Sequence, residues 1–188
     1  MQNEEIKPTD KKVARQWFIA FVGTRAEKAV RNRLLDLGIE AFAATQNEVR
    51  VRKNGRRVKI ESVIITQYVF VHVTEEERKV IVQYPYIRSF LTDKASETDS
   101  CGKHKLAVIP DREMEALQSM LRQDEATVKF ATAGFSIGDE VNMSGWSDNI
   151  KGRIIRIRGD QARYIGVRIE QLGCAYMEVS PSKLVKVD

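Results

Sequence analysis

The side chains that could do chemistry are few. Two cysteines and two histidines make up the soft-metal and nucleophile inventory. Cys101-Gly-Lys-His104 has the look of half a metal site. A structural zinc needs about four ligands, the complementary pair is missing, and neither Cys174 nor His72 completes it. A loop cysteine and a loop histidine are the simpler reading. No Ser, Cys or Lys falls in a recognisable nucleophile motif, and there is no phosphate loop or dinucleotide fingerprint. The expectation is a protein that is not an enzyme, with no catalytic residue, no metal and no cofactor.

The cations carry a more informative pattern. Between Arg50 and Lys59 every charge is positive: Arg50, Arg52, Lys53, Arg56, Arg57 and Lys59. On a protruding ribbon such charges repel one another, and phosphate relieves that repulsion by counterion release. A solvated hairpin also uses Lys and Arg for solubility and edge protection, and the residues alone leave both readings open. Arg25, Lys28 and Arg31 gather on the polar face of a predicted helix, which taken alone describes a wet helix surface.

Apolar side chains supply a second pattern. In Trp17-Phe-Ile-Ala-Phe-Val22, Trp17, Ile19 and Phe21 point to one side and Phe18, Ala20 and Val22 to the other. Between Val63 and Val73, Tyr68 and Phe70 oppose Val69 and Val71. Both strands are therefore apolar on both faces. Three short helices cover one face of an antiparallel sheet but hardly both. The remaining aromatic face is then a patch for a partner, unless helices pack on both sides or the second domain docks there.

The elements that position these residues follow from period and punctuation. Residues 1–15 are polar and read as a flexible tail. The strand at 17–22 leads to a helix from Arg25 to Leu37, with Ala26, Ala29, Val30, Leu34 and Leu37 on one face and Gly38 closing it. Thr24 and Glu27 have the spacing of a capping box. A strand at 39–45 precedes a hairpin centred on Asn54-Gly55, for which a type I′ turn is expected. The apolar run 63–73, a helix at 75–82, a strand at 87–91, a mobile polar loop at 92–105 and a helix at 111–122 complete the first domain, 16–123. Residues 124–134 lack a period and read as a linker. From 135 to 188 five short strands (141–143, 153–157, 164–169, 176–179 and 184–187) have the pattern of a small β-barrel.

Composition agrees with a two-domain α+β chain. The 188 residues are 43% hydrophobic and 30% charged, enough to bury real cores. Apolar runs are too short for a membrane span, and the amino terminus has no secretory apolar stretch. Two distant cysteines suit a reducing, cytoplasmic setting. The net charge of +5 is modest, so any nucleic-acid role rests on where the cations sit.

In order along the chain, Trp17-Phe18, the Glu27 helix, the Asn54-Gly55 hairpin, Tyr68-Val-Phe-Val71 and Ile109-Pro-Asp111 resemble the amino-terminal (NGN) domain of NusG-type transcription elongation factors. Phe135-Ser-Ile-Gly-Asp-Glu-Val141 with Gly145, then Gly152-Arg-Ile-Ile155, is similar to the KOW motif of their carboxy-terminal SH3-like barrel. The resemblance implies an NGN antiparallel sheet with flanking helices, then a KOW barrel. It also implies binding to RNA polymerase, with the tip of the clamp coiled coil on the aromatic sheet face. Phe21 and Phe70 fall where the family has such contacts, with Trp17, Ile65 and Tyr68 beside them. Arg78 and Lys79 fall where relatives touch the opposite jaw, and bridging both jaws would disfavour the clamp opening that accompanies pausing. Arg25, Lys28 and Arg31 match cations that meet non-template DNA in relatives that read a pause sequence; Arg52, Lys53, Arg56 and Arg57 extend that nucleic-acid surface. Trp146 and Ile150 fall where the KOW domain recruits a ribosome or termination factor.

The family's usual Phe-Pro-Gly-Tyr is Ile65-Thr-Gln-Tyr68 here, and its Gly-Pro-Phe loop is replaced by Gly145-Trp-Ser147. These departures resemble specialised antiterminators of the RfaH and UpxY kind, acting on long operons such as capsular polysaccharide loci. The alternatives are a housekeeping elongation factor and a ribosome-associated KOW RNA-binding protein. The barrel strands, rich in Ile, Val, Arg and Tyr without a clean helical period, predict a constitutive barrel.

Overall fold

A computed structural model describes residues 14–123, 127–132, 135–143, 151–157, 164–169, 172–178 and 184–186. The expected tail through residue 13, parts of the expected linker, and Gly145, Trp146, Ser147 and Ile150 lie outside the described residues.

The first domain is built on β1 (Gln16–Val22), α1 (Glu27–Asp36), β2 (Glu40–Phe42), β3 (Thr45–Val51), β4 (Arg57–Val63), β5 (Tyr68–Val73), α2 (Glu75–Ile81), β6 (Ile87–Phe90), β7 (Val108–Ile109) and α3 (Asp111–Leu121). The central sheet runs β2-β5-β1-β6, with β7 also paired to β1. β1 and β5 are antiparallel, with Trp17 opposite His72, Ile19 opposite Phe70 and Phe21 opposite Tyr68. Phe18, Ala20, Val22, Val69, Val71 and Val73 fill the other face, where Val30 and Leu34 of α1 and Ile81 of α2 cover them. The double-sided apolar pattern is thus real, and two of the three helices go to one face.

Several local expectations change. Ala26, not Thr24, is the N-cap of α1, and no side chain caps it. Thr24 and Glu27 are instead both engaged with Gln67, forty residues on, so a tertiary contact outcompetes the local box. The capping box forms at α2, between Thr74 and Glu77. On α1 only part of the expected stripe is buried: Val30 and Leu34 are covered, whereas Leu37 is 57% exposed. The helix does end as expected. Gly38 takes φ +74, and the amides of Gly38 and Ile39 return to the carbonyls of Leu35 and Leu34, the Schellman arrangement.

The strand 63–73 is interrupted. β4 ends at Val63, and Gln67 adopts φ +69 before β5 begins. The hairpin turn also differs. Among the described residues Arg25 and Gln67 are the non-glycines with positive φ, so Asn54 is not left-handed and the turn is not type I′. The Gly55 amide bonds the Arg52 carbonyl at 2.8 Å, the Arg52 amide bonds the Arg56 carbonyl at 2.9 Å, and Gly55 has φ +76. That is a three-residue loop closed by a glycine bulge, and Asn54 Oδ1 accepts the Arg56 amide at 3.1 Å. The polar segment 92–105 is not structureless either. Bridges join Thr92 to Leu106 and Thr98 to His104, and the Asp99 carboxylate accepts the amides of Cys101 and Lys103.

The carboxy-terminal part comprises β8 (Lys129–Ala131), β9 (Phe135–Met143), β10 (Lys151–Ile157), β11 (Tyr164–Ile169), β12 (Gly173–Glu178) and β13 (Leu184–Lys186). They form one antiparallel sheet of order β13-β9-β10-β11-β12-β8. β8 corrects the linker expectation: Lys129, Phe130 and Ala131 pair with Tyr176, Ala175 and Cys174 of β12. Three residues carry too little period to be recognised alone; an open strand edge orders them. Closure of this sheet into a barrel is not among the described pairings. β11 and β12 are apolar on both faces. Tyr164, Cys174 and Tyr176 pack with Ile155 on one, while Ile165, Val167, Ile169, Ala175 and Met177 join the cluster that holds Trp17 and Phe70.

Candidate protein and nucleic-acid interfaces

The strand register lines up an aromatic row on the face of the first sheet away from α1 and α2. Trp17 stacks on His72 with centroids 4.8 Å apart. Phe21 lies 5.7 Å from Tyr68, and Phe42 lies 6.1 Å from Phe70. Arg88 places its guanidinium carbon 5.7 Å from the Phe21 ring centroid, a cation–π contact. His72 Nδ1 is 2.6 Å from Glu40 and its Nε2 is 3.9 Å from Asp111, so a polar rim joins β2 and the start of α3 to the row.

This face is divided. Ile19 and Phe70 are fully buried, Ile65 is 1% exposed and Trp17 6% exposed. They share one apolar cluster with Met114, Leu117, Met120 and Leu121 of α3 and with Ile165, Val167, Ile169, Ala175 and Met177 of the carboxy-terminal sheet. α3 packs on both β1 and β11. Phe21 and Tyr68 remain half-buried at the other end. One end of the row is therefore covered by α3 together with the second sheet, and the other end, with Arg88, meets solvent.

The half-exposed end sits on an unusual turn. Gln67, at φ +69, donates its amide to the Glu27 carboxylate at 2.6 Å and its side-chain Nε2 to Thr24 Oγ1 at 3.0 Å. Its carbonyl accepts the Val22 amide at 2.9 Å. A left-handed glutamine costs on the order of 1 kcal/mol relative to glycine, and these three bonds hold it. Glu27 is 1% exposed, so its carboxylate serves this turn.

The cations divide into held and bare groups. Lys28 Nζ donates to the Glu61 carbonyl at 3.0 Å, and Arg31 donates to the Glu61 carboxylate at 2.7 Å. Thr45 donates to the same carboxylate at 2.8 Å. Lys28 and Arg31 thus join α1 to the root of the β3–β4 ribbon, whereas Arg25, expected on the helix, precedes it at φ +62 and is the exposed one of the three. Arg50 pairs with Glu48 at 2.5 Å, and Ser62 also donates to Glu48. Beyond these two carboxylates, Arg52, Lys53, Arg56 and Arg57 are exposed and, among the described residues, in no ion pair. The ribbon is neutralised at its root and bare at its tip.

The Arg31 guanidinium, with Thr45 and Lys28 helping, holds the Glu61 carboxyl below the usual carboxylate range despite partial burial. A depressed folded value stabilises the structure above the unfolded value and loses that contribution as protonation proceeds. The joint between α1 and the ribbon is expected to loosen as pH falls from about 4.5 downward. Amide exchange at β4 in the native protein measures it: Glu61→Gln should remove the part of the pH dependence near Glu61 and leave that of the Glu48–Ser62 contact.

Arg78 is engaged within the chain. It makes a two-point contact with Glu75 at 2.9 and 2.6 Å and lies 5.4 Å from the Phe90 ring centroid. Lys79 is exposed. Cys174 is buried, and desolvation pushes its thiol up to about 12, so it stays protonated. His104 lies 2.9 Å from the Ser96 carbonyl and belongs to the loop. Among the described residues no three His, Cys, Asp or Glu side chains cluster as metal ligands. No described helix is long and apolar enough to cross a membrane.

Residues the sequence reading missed are Arg88, His72, Gln46 and the outward row Ile165-Val167-Ile169. The last was visible as strict alternation in Tyr-Ile-Gly-Val-Arg-Ile. Arg88 and Gln46 gave no local signal, because their partners lie far away in sequence.

The family model described as "Transcription termination factor nusG" matches residues 15–118, more than half of the chain. A search of curated proteins gives no match. Among solved structures, one described as "Domain interaction in Thermotoga maritima NusG" aligns at 19% identity over 93% of this chain and 98% of that one, with a TM-score of 0.44.

Proposed function

Because this chain belongs to the NusG family of transcription elongation and termination factors, we propose that it is a non-enzymatic antitermination factor that binds RNA polymerase through its amino-terminal domain. The observation that carries this reading is the aromatic row of β1 and β5. Two helices satisfy the opposite face, and the row is closed in part by a sheet from another domain. A face built this way can exchange one apolar cover for another at small net cost, since both bury similar surface. The clamp coiled coil of the polymerase is the exchanging partner, contacting Phe21 and Tyr68 first and then Phe70, Trp17 and Ile65 as the carboxy-terminal sheet leaves. Lys79 is available for the second jaw, and Arg78 only if it gives up Glu75.

Holding both jaws would suppress pausing, and the coupling needed is modest: about 1.4 kcal/mol changes an equilibrium tenfold. The replacement of Phe-Pro-Gly-Tyr by Ile65-Thr-Gln-Tyr68 supports a specialised paralogue serving particular long operons. Copurification with core polymerase tests the binding, and it should be lost in Phe21→Asp. Retained binding in a folded Phe21→Asp variant rejects the surface. Polymerase-occupancy mapping tests the operon restriction; genome-wide occupancy would make it a housekeeping factor.

The bare tip of the ribbon supports a nucleic-acid contact, with exposed non-template DNA as the ligand. Reversing Arg52, Lys53, Arg56 and Arg57 should weaken binding to single-stranded DNA and flatten its salt dependence by roughly 0.7 per lost phosphate contact. An unchanged slope in titrations at several salt concentrations returns the tip to a solubility role. The KOW reading of residues 135–188 and its recruitment of a ribosome or termination factor through Trp146 and Ile150 are tested by pull-down with and without Trp146→Ala.

A further inference from the structure

Gln46 lies on β3 at the root of the ribbon and is 7% exposed. Both ends of its carboxamide go to the segment between α3 and β8. Its Nε2 donates to the Gln123 carbonyl at 2.9 Å, and its Oε1 accepts the Val128 amide at 2.8 Å. Gln123 follows the end of α3, while Val128 immediately precedes β8. Val128 is itself 2% exposed and belongs to the cluster that joins Trp17 and Phe70 to Ile165 and Met177. One side chain of the first domain therefore grips both ends of the junction with the second.

We propose that Gln46 is a latch that holds the carboxy-terminal sheet over the aromatic row. The proposal rests on the reading above, that this sheet must leave before a partner can reach Phe70. A carboxamide offers one donor edge and one acceptor edge, and here the backbone carbonyl and amide they meet belong to opposite ends of the connector. Any swing of the sheet that separates Gln123 from Val128 breaks at least one of the two bonds. The Val128 amide, in a residue only 2% exposed, loses its acceptor when that bond breaks, and a buried donor left unpaired costs more than the bond itself contributes, so partial opening is disfavoured. The sheet stays seated until the whole junction is hydrated. Oε1 meets an N–H and Nε2 meets a C=O, so neither glutamate nor an apolar residue can replace both functions.

The test uses the full chain and nitrogen-15 relaxation, which separates one tumbling body from two. In the wild type the two sheets should tumble together. Gln46→Met keeps the length and bulk of the side chain and removes both bonds. It should lower the closed-to-open ratio on the order of ten- to thirty-fold, giving two correlation times and shifted amides at Ile165, Val167 and Ile169. Gln46→Glu, which keeps only the acceptor, should move the same way. A Gln46→Met chain that tumbles as one body with wild-type shifts overturns the latch and leaves the docking surface standing. Wild-type domains that tumble independently overturn both. Loss of the first domain's dispersed resonances in Gln46→Met would mark a folding residue and also overturn the latch.

Discussion

Phe21→Asp and Phe70→Asp are expected to abolish polymerase binding by different routes, and stability measurements separate them. Phe70 is fully buried between the first sheet, α3 and the second sheet. Losing its ring costs about 3–5 kcal/mol in cavity and transfer terms, and a carboxylate in that space adds a further desolvation penalty. Set against a domain stability of about 5–15 kcal/mol, that leaves Phe70→Asp largely unfolded. Phe21 is half-buried and faces Arg88. An aspartate there keeps access to water and gains a guanidinium neighbour, so the cost to folding is about 1 kcal/mol. In a complex the same carboxylate would be desolvated at the centre of an aromatic contact. Loss of a hot spot of that kind is worth about 2 kcal/mol or more, roughly thirty-fold in affinity. Denaturant unfolding and a polymerase-binding titration on both variants check this. A well-folded Phe21→Asp with unaltered affinity would contradict it.

Gly166→Ala is expected to destabilise the carboxy-terminal sheet strongly by overpacking. A Cβ at this position would lie 2.1 Å from Ile155 Cδ1 and 2.8 Å from Cys174 Sγ. Gly166 sits on β11 opposite Arg153 of β10 and Tyr176 of β12, so neighbours on both sides fix the backbone. Ile155 and Cys174 are both buried and cannot swing into solvent. Overpacking of a closed core costs about 1–3 kcal/mol, and two clashes at once place this substitution at the upper end. The sheet should melt earlier than the first domain, which loses only the cover this sheet supplies. Calorimetry on the full chain would then show the transition split. Gly166→Ala with Ile155→Val removes the nearest of the three clashing atoms and should recover part of the loss.

The face pattern of β1 and β5 was legible because strand alternation is local. Any residue two positions from Trp17 or Phe70 must share its side, and the structure agrees residue by residue. The burial of that face was legible only as a question: sequence showed an apolar surplus but not which cover it has. The answer lay in Ile165, Val167 and Ile169, whose alternation marks an apolar face without naming its partner. β8 escaped notice because a three-residue strand exists by virtue of the edge it joins. Thr24 and Glu27 misled for a related reason: their spacing fits a cap, yet Gln67 offers them bonds that the local chain cannot.

The charged sites follow the same rule. Counting cations marked the whole ribbon as positive, since no acidic residue lies between Arg50 and Lys59, but did not show that Glu48 pairs with Arg50 and leaves only the tip bare. It could not show that Glu61 ties down Arg31 and Lys28, because that contact depends on how α1 lies against β4. Arg78, which the family resemblance places at the second jaw, is likewise engaged by Glu75 and Phe90, partners that only the fold brings to it.

Hydroxyl-radical footprinting of the full chain, free and bound to core RNA polymerase, tests the exchange of covers most directly. Met177 is 5% exposed in the closed form and Phe21 and Tyr68 are half-exposed, so the two sides carry opposite starting signals. Binding should protect Phe21 and Tyr68 and, at the same time, expose Met177 to oxidation. Polymerase binding that leaves Phe21 and Tyr68 as reactive as in the free chain, with Met177 still protected, would contradict the proposed surface.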